Sequence, residues 1–336
     1  MAGPVFITGA SGFVGGAVLR HLVEAGREVR ALARSDEAEG RVRAAGASPV
    51  RGDLFDPQAL LAGMRGCDAV FHVAGVNATC VRDAAPMLHV NVEGSVQVVR
   101  AAAAAGVGRI IHTSSASTIG EAEGAVGTED SSHRGSFLSA YERSKFLAER
   151  RVLQLGPELG VDVVCVNPSS VQGPGRTEGS ARLLLELVNR RRPAVVDTWL
   201  SVVDVDDCAA GHLLAETHGV PGARYLLNGA SLSTADAVSV LRAVGGRPAH
   251  ILRVPRAAVS VAGGAAGLAS QVLRRPFPLC REVARTLLHG HRFDGSLAER
   301  ALGLRYRPLE ETVARTLAWY EAEGLIGDAA SGRASG

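Results

Sequence analysis

Tyr141 and Lys145 lie four residues apart in Tyr141-Glu142-Arg143-Ser144-Lys145, a spacing that puts both side chains on one face of a helix. The chemistry open to such a pair is proton transfer. A phenol with a pKa near ~10 is a poor acid or base at neutral pH, but a neighbouring ammonium, joined by an oxidised nicotinamide, stabilises the phenolate and lowers that value. Tyr141 then gives a proton to a carbonyl oxygen as hydride arrives, or takes one from an alcohol as hydride leaves. Ser115 ends the apolar run Arg109-Ile110-Ile111-His112-Thr113-Ser114-Ser115 and is placed to hold the same oxygen, as an oxyanion-hole donor does. Lys145 has a second use, binding the nicotinamide ribose hydroxyls. Alone, a Tyr-x-x-x-Lys pair is an ordinary exposed helix pair; its weight comes from the company it keeps.

That company begins at Thr8-Gly9-Ala10-Ser11-Gly12-Phe13-Val14-Gly15, which follows the apolar Pro4-Val5-Phe6-Ile7 and precedes a helical pattern through Ala17, Val18, Leu19, Leu22 and Val23. Strand, tight turn and helix are predicted in that order. Gly9, Gly12 and Gly15 allow a sharp turn, close approach to a pyrophosphate and helix-on-strand packing, and the helix start offers N–H groups to phosphate. A second strand, Glu28 to Arg34, ends in Ala33-Arg34-Ser35, with no carboxylate before Asp36. Arg34 can meet a 2′-phosphate with its planar fork and Ser35 can add a hydroxyl, so NADP is expected over NAD. Asp53, in Gly52-Asp53-Leu54, either binds the adenine amino group or caps the turn that follows. Val73, Ala74 and Gly75 end the strand from Ala69 and are small enough to run beside the cofactor.

Stepping strand to helix continues through a helix over 38–45, a strand over 48–51, a helix through Leu60, Leu61 and Met64, a long helix from Asn91 to Ala105, and the helix that opens at Tyr141. This alternation predicts an α/β, Rossmann-type doubly wound parallel sheet. Residues 1–174 form the dinucleotide-binding part, completed by pieces of 194–230; 175–327 form a smaller substrate-binding region; 328–336 is a polar tail expected to be disordered. In the second part, Arg190-Arg191-Arg192 either grips a diphosphate or, the favoured reading, complements a helix end in solvent. The Ala/Gly/Val-rich stretch from Pro255 to Gln271 either walls a pocket or packs on the core, with packing favoured. Ser233-Thr234-Ala235-Asp236 reads as a helix cap, and Trp319 and Tyr320 as packing residues.

Composition narrows the function classes. The 336 residues, 46% hydrophobic and 21% charged with a formal net charge of +2, suit a soluble globular protein with no electrostatic pull toward nucleic acid or an anionic membrane. Cys67, Cys80, Cys165, Cys208 and Cys280 are scattered and odd in number, which argues against a disulfide framework and for a reducing compartment. No metal site is expected, since the cysteines form no C-x-x-C pair and His72, His89, His112 and His133 show no ligand spacing. Met1 leads at once into the first strand and no stretch reads as a membrane span, so a cytoplasmic enzyme is expected.

With these motifs in order, the chain resembles the extended short-chain dehydrogenase/reductase family from Pro4 to about Leu325. The further residues that carry the resemblance are Phe71-His72-Val73-Ala74, Asn91-Val92-Glu93-Gly94, Thr113-Ser114-Ser115, Asn167-Pro168-Ser169-Ser170-Val171, Gly173-Pro174-Gly175 and Val203-Asp204-Val205-Asp206-Asp207. It implies Ser115, Tyr141 and Lys145 as the catalytic set. It also implies that Gly9, Ser11, Gly12, Phe13, Val14, Gly15, Arg34, Ser35, Asp53, Leu54, Val73, Ala74, Gly75, Thr113, Tyr141, Lys145, Pro168, Ser170 and Val171 line the cofactor. Within the family the chain looks most like the dihydroflavonol-reductase-like group and its hopanoid-associated sugar-epimerase branch, departing at Asn167 and Gln172. Relatives pair through helices matching 91–105 and 141–155, which implies a homodimer.

Three functions are weighed. The leading expectation is an NADPH-dependent reductase of a ketone or aldehyde on a small or bulky hydrophobic substrate, with Tyr141 as proton donor. The alternative is a sugar or sugar-nucleotide epimerase that keeps NAD bound, and the third is an NADP-binding regulator without chemistry, against which an intact Ser115, Tyr141 and Lys145 argues.

Overall fold

The computed structural model describes residues 3–190, 192–245, 250–273 and 280–326. The strands are β1 Val5–Thr8, β2 Val29–Ala33, β3 Ser48–Arg51, β4 Ala69–His72, β5 Arg109–Thr113, β6 Asp162–Pro168, β7 Ser170–Gln172, β8 Ala194–Val195, β9 Trp199–Asp204, β10 Arg224–Leu227, β11 Ala230–Ser233 and β12 Leu252–Arg253. The α-helices are α1 Phe13–Glu24, α2 Asp36–Ala44, α3 Pro57–Met64, α4 Ala85–Leu88, α5 Gly94–Ala105, α6 Ala140–Glu158, α7 Ala181–Asn189, α8 Val205–His218, α9 Thr234–Ala243, α10 Arg256–Leu273, α11 Arg281–His289 and α12 Leu309–Ala322.

Seven strands form one parallel sheet in the order β10-β6-β5-β4-β1-β2-β3. The strands of its centre are buried on both faces, which is why β1 and β4 read as unbroken apolar runs. One face is covered by α1 and α8, through Val18, Leu19, Leu22, Cys208 and Ala209. The other is covered by α3, α5 and α6, through Leu60, Met64, Val98, Val99, Val152 and Leu155. The winding reverses between β1 and β4, and such a switch point opens a crevice at the carboxyl ends of the strands. The expected α/β Rossmann-type sheet is therefore present.

A smaller region follows. β11, β9 and β7 make a three-stranded sheet, and α7, α9 and α12 close around Val188, Leu241, Leu317 and the fully buried Tyr320. The cap read at Ser233 is a reciprocal capping box with Asp236. The segment from Pro255 lies mainly in α10, where Val259 packs against Val196 and Ala284 while Val261 faces solvent. Arg190 and Arg192 are exposed beyond the end of α7; Arg191 and the 328–336 tail lie outside the described residues. Among the described residues no helix is long and apolar enough to cross a membrane.

Two expectations change. The helix read as continuous from Asn91 begins instead with α4 and a wide π-turn, His89–Glu93, before α5. The turn leaves Asn91 2% exposed, its side chain bonded to the Val76 N–H and C=O and to the Ser144 hydroxyl. Second, Cys80 and Cys280 form a disulfide across 200 residues. The argument for a reducing compartment from unpaired cysteines therefore falls; a single bridge between distant loops leaves no spacing pattern to read.

Candidate active site

The catalytic candidates meet where β5 ends beside the start of α6. Ser139 caps α6 by accepting the Glu142 N–H at 3.1 Å, and the Glu142 carboxylate accepts the Leu138 N–H and pairs with Arg134, so the turn bearing Tyr141 is fixed. Ser115 lies beside the Tyr141 phenol, near enough to lower its pKa. Ser115, in turn, is held from behind: its Oγ accepts from Ser117 N–H and O–H, and its carbonyl accepts from Asn167 Nδ2 at 3.3 Å. One turn along α6, Lys145 Nζ donates to the Thr113 carbonyl at 2.6 Å.

The electrostatics refine the sequence reading. Burial raises the Tyr141 pKa, while the Ser115 side chain and the Arg176 guanidinium pull it down. Arg176, which the sequence reading passed over, is thus the cation acting on the phenol. It donates to the Val171 carbonyl at 2.6 Å, and its own carbonyl accepts from Tyr320, which ties the residue to α12. Lys145 is buried and held down to about 8, with Glu149 opposing. At neutral pH the Lys145 amine is still mostly protonated and carries its charge to the end of β5.

The glycine turn has the form a dinucleotide requires. Gly9 has φ +78°, and a Cβ there would sit 2.6 Å from the Ala74 nitrogen; a Cβ on Gly15 would sit 2.1 Å from the Gly9 carbonyl oxygen. Only glycine permits this approach of turn, helix and β4. Gly12 begins α1 with no side-chain cap, so the helix N–H groups carry no competing acceptor from a side chain. Thr8 Oγ1 accepts the Ala74 N–H and bonds His72 Nδ1, and His72 Nε2 bonds Ser95, fixing the β1 and β4 ends against each other. These features fit a dinucleotide pyrophosphate at the switch point.

Around this turn the other candidates fall as follows. Ser11 and Val14 are partly buried, Phe13 lies under Arg176 at 5.5 Å, and Val73 and Ala74 lead to an exposed Gly75. A Cβ on Gly75 would be 3.6 Å from Lys145 Nζ and 3.3 Å from Asn91 Oδ1, which brings the β4 end to the catalytic lysine. Leu54 is buried and would meet a Cβ placed on Gly94. Thr113 bonds His212, Pro168 is buried at the end of β6, and Ser170 bonds Ser180. Asp53 accepts the Phe55 N–H at 2.7 Å, the turn-capping role. At the end of β2, Arg34 is exposed, and Ser35 is the cap of α2, its Oγ accepting the Ala38 N–H. Asp36 pairs with Arg51 at 2.6 Å.

The C-terminal region reaches this site through α11. Glu282 accepts the N–H of Ala140, the first residue of α6, and the N–H of Cys80, while the disulfide joins Cys80 to the residue just before α11. None of these contacts has a sequence signal.

Comparisons with known proteins agree with the fold. The model of the NAD dependent epimerase/dehydratase family matches residues 5–227. A Synechocystis sp. protein named "Putative dihydroflavonol 4-reductase" is 31% identical over 335 residues, covering 97% of each chain. The crystal structure of gox2253 superposes with a TM-score of 0.84 at 30% identity, covering 96% of this chain and 99% of that one. DesIV, a dTDP-glucose 4,6-dehydratase from Streptomyces venezuelae solved with NAD, superposes with a TM-score of 0.77 at 23% identity over 96% and 98% of the two chains.

These findings correct two expectations. MoeE5, DesIV and WbmG, 21–24% identical to this chain, were solved with NAD, accompanied by UDP-glucose or UDP-glucuronic acid in MoeE5 and by UDP in WbmG from Bordetella bronchiseptica. NADP as cofactor, and the NADPH-dependent reductase of a ketone or aldehyde built on it, are overturned. At the position expected to meet a 2′-phosphate, Arg34 stands exposed at the end of β2 and Ser35 caps α2. The comparisons place the chain in the family without selecting the dihydroflavonol-reductase-like or hopanoid-associated branch. A family match across most of the chain and a Rossmann-type sheet with its glycine turn at the switch point lead to one assignment: this is a Rossmann-fold oxidoreductase that belongs to the NAD dependent epimerase/dehydratase family.

Proposed function

We propose that this protein is an NAD-dependent sugar-nucleotide epimerase or dehydratase that oxidises a secondary alcohol of its substrate and returns the hydride within the same site, to the same carbon in an epimerase and to the carbon that has lost water in a dehydratase. The observation that carries the proposal is the meeting of Ser115, Tyr141 and Lys145 where β5 ends, with Gly75 of the β4 end beside Lys145 and the glycine turn that would hold the pyrophosphate packed against Ala74. Arg176 supports an anionic substrate, because a largely buried guanidinium near the phenol favours a negatively charged ligand. In this reading residues 1–174, completed by parts of 194–230, hold the cofactor, and 175–327 supply substrate contacts.

NAD, when bound, supplies the acceptor for hydride and the source of its return. Ser115 and Tyr141 hold the reacting oxygen between their hydroxyls. Tyr141 takes the hydroxyl proton as the carbon is oxidised to a ketone and gives it back as the carbon is reduced. Ser115 donates to the oxygen while it carries carbonyl character. Arg176 and the Ser115 hydroxyl hold the phenolate form against the cost of burial. Lys145, anchored on the Thr113 carbonyl, binds the nicotinamide ribose, and Asn167 fixes the backbone of Ser115.

The test is to incubate the purified protein with UDP- and dTDP-hexoses without added reductant and follow products by NMR. Epimerised or dehydrated sugar, lost in Tyr141→Phe, is the expected result. Inert nucleotide sugars together with turnover of a simple ketone at the expense of added NADPH would overturn the proposal.

A further inference from the structure

We propose that Glu121, His289 and His291 form a binding site for a divalent transition-metal ion, zinc by ligand chemistry, tying the segment after Ser115 to the C-terminal region. One ligand atom from each of the three lies within 4.8 Å of the others. His289 Nε2 is 3.2 Å and His291 Nδ1 2.6 Å from the same carboxylate oxygen, Oε1. Glu121 is only 2% exposed, and its second oxygen, Oε2, is buried without a hydrogen-bond partner.

Hydrogen bonding among the three residues alone satisfies this group poorly. Both imidazoles must donate to one oxygen, while the other keeps its lone pairs buried and unused, with the desolvation cost of an orphaned polar group. A metal ion converts both imidazole nitrogens into acceptors and adds a counter-charge to the carboxylate. Two imidazoles and a carboxylate are a common zinc set, with a fourth position left for water. Ligand atoms about 2.0–2.2 Å from zinc lie roughly 3.3 Å from one another in tetrahedral geometry, near the 2.6 Å and 3.2 Å that separate the imidazole nitrogens from Glu121 Oε1.

The surroundings hold the ligands in place. The Ser201 hydroxyl donates to the His291 carbonyl at 2.9 Å, and the His291 ring stacks on Phe293. Glu121 follows the short 3-10 helix Ala116–Ile119 that starts at Ser115, and its carbonyl accepts from Arg134, the partner of Glu142 in α6. The ion would thus stand behind the catalytic strand end as a tie, outside the hydride and proton transfers. The sequence reading missed the site because Glu121 lies 168 and 170 residues from the two histidines.

Protein stripped with a chelator and repurified in metal-free buffer is titrated with zinc chloride and, separately, with cobalt chloride. The expected results are stoichiometric zinc retained through gel filtration, a visible cobalt spectrum of four- or five-coordinate intensity, and a higher unfolding midpoint with zinc. Glu121→Gln and His289→Gln should each weaken zinc binding more than about tenfold, since a direct ligand matters at least as much as the groups that orient it. Replacing the exposed His218 by Gln should leave binding unchanged. Near-UV circular dichroism verifies that a variant is folded; should one ligand variant be misfolded, the other carries the test. No stoichiometric zinc in the wild-type protein, a cobalt spectrum of the aqueous ion, or equal binding by folded ligand variants would overturn the proposal and leave a buried carboxylate–imidazole cluster.

Discussion

Around the glycine turn the groups named for chemistry sit on short spacings: Gly12 N–H bonds Gly9 C=O, Ser117 N–H bonds Ser115 Oγ, and Tyr141 and Lys145 lie four residues apart in α6. Around α11 the contacts that reach the site are remote in sequence: Ala140 with Glu282, Cys80 with Cys280 and with Glu282, Glu121 with His289 and His291. The difference separates two jobs. Local spacing places the reacting groups, and distant ties set how firmly the second region sits over them. Changes in the first set should cost turnover with little loss of stability, and changes in the second should do the reverse.

The largest expected effect is that of Tyr141→Phe, with kcat down by about 10³-fold and cofactor retention unchanged. Ser115→Ala should cost about 10²-fold in kcat, with the pH profile shifted upward because the phenolate loses a donor; equal turnover in steady-state assays would break the assignment of the site. On the other side of the comparison, Cys80→Ser should lower stability to denaturant by about 2–4 kcal/mol and leave kcat within a few-fold. Reductant should do the same to the wild-type protein and nothing further to the variant. If kcat collapsed with the bridge, the two regions would not be separable in the way described.

The smallest effect comes from histidines buried without charge. His72 is held down to about 3 and His212 to about 4, chiefly by burial. The unfolded chain, titrating near its ordinary 6.5, therefore binds more protons between those values, so stability falls as pH drops below 6.5. For His72 the loss at pH 5 is about 1–2 kcal/mol. Denaturant titrations at pH 7 and pH 5 should show a shallower fall in a folded His72→Gln variant.

The parts of the fold that were legible in the sequence are those set by local periodicity. β1, the glycine turn, α1 and the run of strands through β5 followed from apolar runs and glycine spacing, and the Ser233 cap from its own four residues. Ser115, Tyr141 and Lys145 were singled out by their motifs, and the structure brings them together where β5 ends beside the first turns of α6. The rest depended on groups brought together only by folding. Arg176 carries no motif that points to a phenol on another element. NADP was read from the composition of Arg34-Ser35 alone, a two-residue signal at the end of β2 that the start of α2 at Asp36 neither supports nor removes. The disulfide and the carboxylate–imidazole cluster were hidden by separations that no spacing rule covers.

The most direct measurement is to denature the purified protein, identify the nucleotide released, and compare conversion of a nucleotide sugar with and without added nucleotide. The account predicts NAD, retained in stoichiometric amount, and conversion that needs no added reductant. Release of NADP, or conversion that consumes NADPH in step with product, would contradict it.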